Sequence, residues 1–411
     1  MVQLHSPQRL RLGRVGACFI IAGAIAMFVL ASALPSHAKP PIKVGVLLPF
    51  VGPTAQLGDG NSKGIRLAFE KRGFKVADRE IELIVEDSKG DPNTALLKVK
   101  KLIERDKVHV LVGVILSSVA YAIRDTVVAA EIPWVITIAN ASGLTREKGS
   151  PYIFRTHQPD GAATYYLAKY AYEKLGSRKA VFSGLDYAYG HENAEAFQKG
   201  FKEAGGEVLK DIFIPLGTKD YGPYMTSIAQ FVGKADTLAF VYSGSDAVKF
   251  VVGLQEYGLK NKFSTFVDWS ATNPGSMLEG EGEAAVGIYE AVFHYQGLDT
   301  SENKEFLKLV KEKLGPFDIN YAFGYIGGDV IYRALEQVRG NIEDKPGFLK
   351  ALRSLRFESI MGPFEFDAKG QNYLFNIYIV RTEKVGGKID QPLKELMPKK
   401  RDPWWIEQSR L

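Results

Sequence analysis

KVGVLLP, residues 43–49, is an apolar run rich in Val and Leu. It has the composition of a parallel strand buried on both faces. A stretch rich in Gly and Pro follows and reads as a loop. After it comes a helix from about Ser62 to Lys71, with Ile65, Ala68 and Phe69 on one face. Residues 81–86 read as the next strand. Asp91-Pro92-Asn93 then carries the signature of a helix start, and Ala95, Val99, Leu102 and Ile103 form its buried stripe. A third strand (109–113), a third helix (118–130) and a fourth strand (134–138) continue the alternation. Strands alternating with helices imply a parallel sheet covered on both faces.

The pattern then restarts. Strands at 179–183, 207–214, 237–242 and 263–267 alternate with helices at 192–204, 224–232 and 247–257. Local details recur as well. Ala68-Phe69-Glu70-Lys71 is echoed by Ala196-Phe197-Gln198-Lys199. Val112-Gly113-Val114, followed by Ser117-Ser118, is echoed by Val241-Tyr242-Ser243-Gly244-Ser245. Two copies of one doubly wound unit account for this. The rest of the chain is too short for a third domain. It holds a strand at 288–293, helices at 303–314 and 321–339, and β-rich segments at 362–366 and 375–380. The expected division is therefore a first lobe of 42–159 and 287–363, a second of 160–286 and 364–395, and a C-terminal tail of 396–411. Several crossings between lobes make a hinge with a cleft. The carboxyl ends of the strands face that cleft, so loops near Phe50, Ser117, Ala139, Tyr189, Ser245 and Asp268 should converge there.

Composition narrows the function classes. Hydrophobic residues make up 46% and charged residues 24%, as in a globular protein with sizeable cores. Residues 1–38 read as an export signal: Arg9, Arg11 and Arg14 precede an apolar run, and Ser36-His37-Ala38 forms a small-x-small cleavage site. About 20 apolar residues would also just span a bilayer, but the small residues and the cleavage site favour removal. Cys18 begins the apolar run, whereas a lipoprotein cysteine ends it, so lipidation is not expected. Removing three of the 52 basic residues leaves 49 against 47 acidic ones, too even a balance to argue for nucleic acid. Lys399-Lys400-Arg401 reads as a solvated terminus. Cleavage would also remove the one cysteine, and with it any disulfide, thiol nucleophile or cysteine metal site.

The candidate chemical motifs are weak for catalysis. In Gly58-Asp59-Gly60-Asn61-Ser62-Lys63-Gly64 the glycines lie too far after the strand, and at the wrong spacing, for a dinucleotide fingerprint. His191-Glu192-Asn193-Ala194-Glu195 lacks the second histidine of a zinc protease helix. Neither a Gly-x-Ser-x-Gly elbow nor a Walker loop occurs. The chain reads as a binding protein rather than an enzyme, with no cofactor or metal expected. Ser117-Ser118 is more informative. The pair follows a buried strand and opens a helix whose first turn carries no anionic side chain, a ready site for a carboxylate. One serine would alternatively serve as the helix cap. Ala139 and Asn140, at the end of the next strand, offer exposed backbone polar groups.

These residues carry a resemblance. Residues 42–59 (IKVGVLLPFVGPTAQLGD), 86–94 (EDSKGDPNT), 113–118, 138–145, 152–160 (YIFRTHQPD) and 361–370 (MGPFEFDAKG) resemble, in order, the Leu/Ile/Val-binding family of periplasmic binding proteins. These are extracytoplasmic receptors of ABC transporters of the branched-chain amino-acid type. The resemblance implies a type I fold: two doubly wound parallel-sheet lobes on a multi-strand hinge. It implies a small carboxylate or amino-acid ligand, a membrane permease and ATPase as partners, and a place in the periplasm; a monomer is expected, since a two-lobed clamp needs no partner to close. The ligand carboxylate is then expected at Ser117, Ser118, Ala139 and Asn140, with Tyr189 as an aromatic wall and Asp160 as a hinge or supporting group. Leu57 stands where the family has an aromatic.

Where amino-acid binders place a glutamate for the ligand's ammonium, this chain reads Val267-Asp268-Trp269-Ser270. Asp268 in the cleft would keep an α-amino acid as ligand; Trp269 there would favour an aromatic or aliphatic acid. Phe50, Tyr121 and Tyr321 are further candidates for flat walls. The alternative on the same fold is a ligand-sensing receptor or amide sensor.

Overall fold

A computed structural model of the chain describes residues 1–3 and 39–408; the rest of the expected export signal lies outside the described residues. From Ile42 the chain lays down β1 (Ile42–Leu48), α1 (Ala55–Glu70), β2 (Lys75–Val76), β3 (Arg79–Asp87) and α2 (Pro92–Lys100). It continues through β4 (Val110–Gly113), α3 (Ser117–Ala129), β5 (Trp134–Ile136) and β6 (Ile153–Arg155). Asp91 caps α2 by accepting the Thr94 N–H at 2.7 Å, with Pro92 in the first turn, so that start signal acts as its residue types dictate. These strands form one sheet in the order β2-β3-β1-β4-β5-β6.

The restart builds the second lobe. It runs α4 (Ala162–Glu173), β7 (Lys179–Leu185), α5 (Ala188–Ala204), β8 (Glu207–Ile214), α6 (Gly222–Ala229) and β9 (Thr237–Val241). Then come α7 (Gly244–Glu256), β10 (Thr265–Trp269), α8 (Ser276–Glu281) and β11 (Tyr289–Val292). After these follow α9 (Ser301–Lys313), α10 (Ile319–Gln337), α11 (Lys345–Ser354) and the paired strands β12 (Arg356–Ser359) and β13 (Gly362–Glu365). Last are β14 (Phe375–Arg381), the small hairpin β15 (Glu383–Val385) and β16 (Lys388–Asp390), β17 (Leu393–Lys400) and α12 (Pro403–Gln408). The second sheet has the order β17-β14-β11-β10-β9-β7-β8.

The duplication is plain in the topology. The run β3-β1-β4-β5-β6 of one sheet matches β8-β7-β9-β10-β11 of the other, strand for strand. By that match α3 and α7 are equivalent helices.

Four sequence expectations need correction. The strand at 289–292 does not belong to the first lobe: it pairs parallel with β10 and antiparallel with β14. It is the counterpart of β6, and each unit needs this fifth strand. The chain crosses back only after it, and α9 then reaches the first lobe through the ion pair of Glu305 with Lys71. The return crossing also falls later than 363. Residues 371–373 still bond to Arg155 of β6, through its N–H to Gln371 (3.0 Å) and its carbonyl to the Tyr373 N–H (2.9 Å). Nor are residues 396–400 a loose tail, because they extend an edge strand on β14. Arg401 pairs with the buried Asp367, so the Lys399-Lys400-Arg401 run is tied into the fold.

The fourth correction concerns the glycines. α1 starts at Ala55, so Gly58, Gly60 and Gly64 lie inside a helix and not in a loop. A helical glycine costs roughly 1 kcal/mol relative to alanine. For Gly58 the reason is the Pro49 carbonyl oxygen, 1.7 Å from where a Cβ would sit; for Gly60 and Gly64 it is the close approach of α10. A Cβ on Gly64 would sit 2.1 Å from the Tyr321 carbonyl oxygen, and one on Gly324 would sit 2.0 Å from that of Asn61. Two backbones touch there, which accounts for glycines that looked like a nucleotide motif.

Candidate functional site

A cavity opens where the carboxyl ends of the two sheets face each other. From the first lobe, Leu116 and Ser117 reach it after β4, and Ile138 and Asn140 after β5. From the second lobe, Tyr187 and Tyr189 follow β7, Ser243 follows β9, Trp269 ends β10 and Ser270 follows it. Leu57 of α1 and Asn320 and Phe323 of α10 close one side. No Asp, Glu, Lys or Arg side chain lines it among the described residues.

Contacts between lobes hold this closed arrangement. Tyr121 Oη donates to Glu192 Oε1 at 2.8 Å, and the Ser142 N–H donates to the other oxygen of Glu192 at 2.8 Å. The Ser245 N–H of α7 donates to the Pro53 carbonyl of the opposite lobe at 3.2 Å.

Several predicted residues lie on the cavity. Ser117, buried, begins α3, whose N-cap is Leu116 and which therefore has no side-chain cap; the alternative of a capping serine is not what forms. Its hydroxyl donates to Asp160 Oδ2 at 2.8 Å, and Asn193 Nδ2 donates to Asp160 Oδ1 at 3.1 Å. Burial, then the neighbouring Glu192, push the Asp160 carboxyl above the usual range while the Ser117 and Asn193 donors oppose the shift, so this carboxyl holds Ser117 from behind. Tyr189 donates to the Trp269 carbonyl at 3.2 Å and shares a 2.5 Å bond with Ser270 Oγ, which fixes its ring in the wall.

Others stand elsewhere. Ser118 does not line the cavity. Ala139 is buried behind it, its N–H on the Val114 carbonyl and its own carbonyl accepting from Arg155. Phe50 packs against the core, its N–H donating to Asp87 Oδ1. Tyr121 serves the contact between lobes instead, and Tyr321 does not line the cavity.

Of the Asp268–Trp269 alternatives, Trp269 forms the wall. Asp268 turns away, accepting the Ala271 N–H (2.6 Å), the Thr272 N–H (3.1 Å) and the Thr272 hydroxyl (2.7 Å). Burial raises its pKa to about 7 despite these bonds.

The sequence reading passed over His157. It sits on the crossing after β6, and its ring lies 4.5 Å from that of Phe323, 5.1 Å from Phe293 and 5.7 Å from Trp269. Burial and the nearby Arg155 push its pKa down to about 3, so the imidazole is neutral. Its position within YIFRTHQPD was the available signal.

Two lobes of duplicated α/β topology closing on one cavity define a two-lobed solute-binding protein. The profile of the periplasmic binding protein family matches residues 41–388, and the chain belongs to that family. It is 29% identical over 350 residues to Leu/Ile/Val-binding protein homolog 6 of Brucella melitensis, an alignment covering 84% of this chain and 88% of that one. Among solved structures it resembles an ABC transporter substrate-binding protein from Sphaerobacter thermophilus at 36% identity and TM-score 0.82, covering 88% of this chain and 99% of that one. It likewise resembles the solute-binding protein of an ABC transporter from Rhodopseudomonas palustris BisB5, in complex with 3,4-dihydroxybenzoic acid. That match has 26% identity, a TM-score of 0.82, and the same coverage of 88% and 99%. The chain is thus a periplasmic-type solute-binding protein of the ABC transporter class.

Proposed function

We propose that the chain is the exported capture component of an ABC uptake transporter, and that its ligand is an aromatic carboxylate and not a branched-chain amino acid. The observation that carries this is the lining of the cavity. An α-amino acid brings an ammonium group, and burying one without an anionic partner costs several kcal/mol. Trp269 occupies the wall, Asp268 is committed behind it, and no acid lines the cavity among the described residues.

The carboxylate goes to the start of α3. The first N–H groups of a helix lack internal partners, and no side chain caps this one. Because the Ser117 hydroxyl is bonded to Asp160, the backbone N–H of Ser117, at the cavity edge of the helix, makes the contact, and the hydroxyl serves to position it. Tyr189 and Trp269 flank the ring. The dihydroxybenzoate bound by the Rhodopseudomonas relative supports the same ligand class.

A thermal-shift screen of the exported form tests the reading, since a ligand bound only to the folded state raises the melting temperature. Benzoate-type acids are expected to raise it, and leucine, isoleucine and valine are not. A shift with the three amino acids and none with aromatic acids would overturn the proposal.

A further inference from the structure

We propose that His157 and Trp269 form a two-donor clamp for an oxygen substituent, so that the cavity prefers a hydroxylated ring to a bare one. This rests on the aromatic-acid reading above and adds which ring it is.

The two side chains are 3% and 2% exposed, and both line the cavity. His157 Nε2 and Trp269 Nε1 have no hydrogen-bond partner among the described residues. The state of His157 follows from Asn140. The Asn140 amide nitrogen faces the Ile138 and Gln158 carbonyls at 2.6 Å each and His157 Nδ1 at 2.7 Å, because the reverse orientation would set an oxygen against two carbonyl oxygens. Facing an amino group, Nδ1 carries no proton. A neutral imidazole then holds its proton on Nε2. Both nitrogens are therefore N–H donors, one from the crossing segment and one from the second lobe, with rings 5.7 Å apart.

A buried donor left unpaired costs about 1–3 kcal/mol, so each favours a ligand atom that accepts. Phe293 and Phe323 surround the imidazole, which leaves the acceptor to the ligand. His157 stays neutral well below pH 7, so the pair carries no positive charge to offset a second carboxylate. A hydroxyl oxygen fits two neutral donors; a dicarboxylate does not.

Calorimetric titration of the full exported protein with benzoate and with 2-, 3- and 4-hydroxybenzoate tests this. At least one hydroxybenzoate is expected to bind about tenfold or more tightly than benzoate. In Trp269→Phe and in His157→Phe, that ratio is expected to fall toward one. Equal affinity for benzoate and all three hydroxybenzoates in the unaltered protein overturns the clamp while leaving the aromatic-acid reading intact. So does a preference that survives both substitutions. Failure of every aromatic acid to bind overturns both.

Discussion

Two equivalent helices begin at the same cavity, and they differ in how their N-termini are satisfied. α7 is already neutralised. Asp246 stands in its first turn, fully buried, accepting from the Gly217 N–H at 2.8 Å and the Tyr221 hydroxyl at 2.9 Å. The Ser245 N–H is occupied by the Pro53 carbonyl. α3 has neither device: no acid in its first turn and no side-chain cap. An N-terminal half-charge that the protein leaves uncompensated is where an anion gains most. Of the two equivalent helix starts, the one in the second lobe carries an aspartate and the one in the first does not. On the proposed reading the ligand therefore has a direction, its carboxylate toward the first lobe and its ring against Tyr189 and Trp269 of the second.

The largest effect should come from copying the α7 solution into α3. Ser117→Asp places a fixed carboxylate where the ligand's belongs, and calorimetry should show affinity for aromatic acids falling by about a hundredfold or more. The next contrast is a matched pair. Ser117→Ala removes the bond to Asp160 that positions the helix start, and a loss of about 1–3 kcal/mol is expected. Ser243→Ala, at the cap position of α7, should change affinity by less than about twofold. Equal losses in the two variants would erase the distinction between the helices.

The acids behind the cavity wall, Asp268 and Glu290, should matter for stability and not for recognition. Asp268→Asn is expected to leave the affinity for aromatic acids within about threefold. Glu290, buried in β11 with Oε1 unpartnered, has its pKa pushed well above its ordinary 4.5 by burial and then by Asp268. The native state keeps a proton that the unfolded chain releases, so stability falls as pH rises above that ordinary value. Glu290→Gln removes this slope. Its melting temperature should exceed that of the unaltered protein at about pH 8 and match it closely at about pH 4. The reverse order would mean that Glu290 is ionised in the fold.

The legible parts of this architecture were those fixed by local pattern. Apolar runs such as 43–49, the Asp91-Pro92 start and the repeated offsets led to two doubly wound units, because each signal lies within a few residues of what it specifies. Contacts distant in sequence were not legible. Gly60 and Gly64 look like loop glycines until α10, more than 250 residues on, is laid across them. The strand at 289–292 fits either sheet by composition, and only its pairing with β10 and β14 assigns it.

The site divides the same way. Ser117, Asn140, Tyr189 and Trp269 follow strand ends, where sequence order alone points to a cleft. The choice between Asp268 and Trp269 needed the Thr272 and Ala271 donors that draw the carboxylate away. His157 needed the burial that keeps it neutral, and Phe50 and Tyr121 needed their true partners to remove them from the wall.

The most direct test of the ligand's direction is a crystal structure of the protein with benzoate. The carboxylate is expected on the backbone N–H of Ser117 at the start of α3, with the ring between Tyr189 and Trp269. A carboxylate at Ser243 and the start of α7, or turned toward His157, would contradict it.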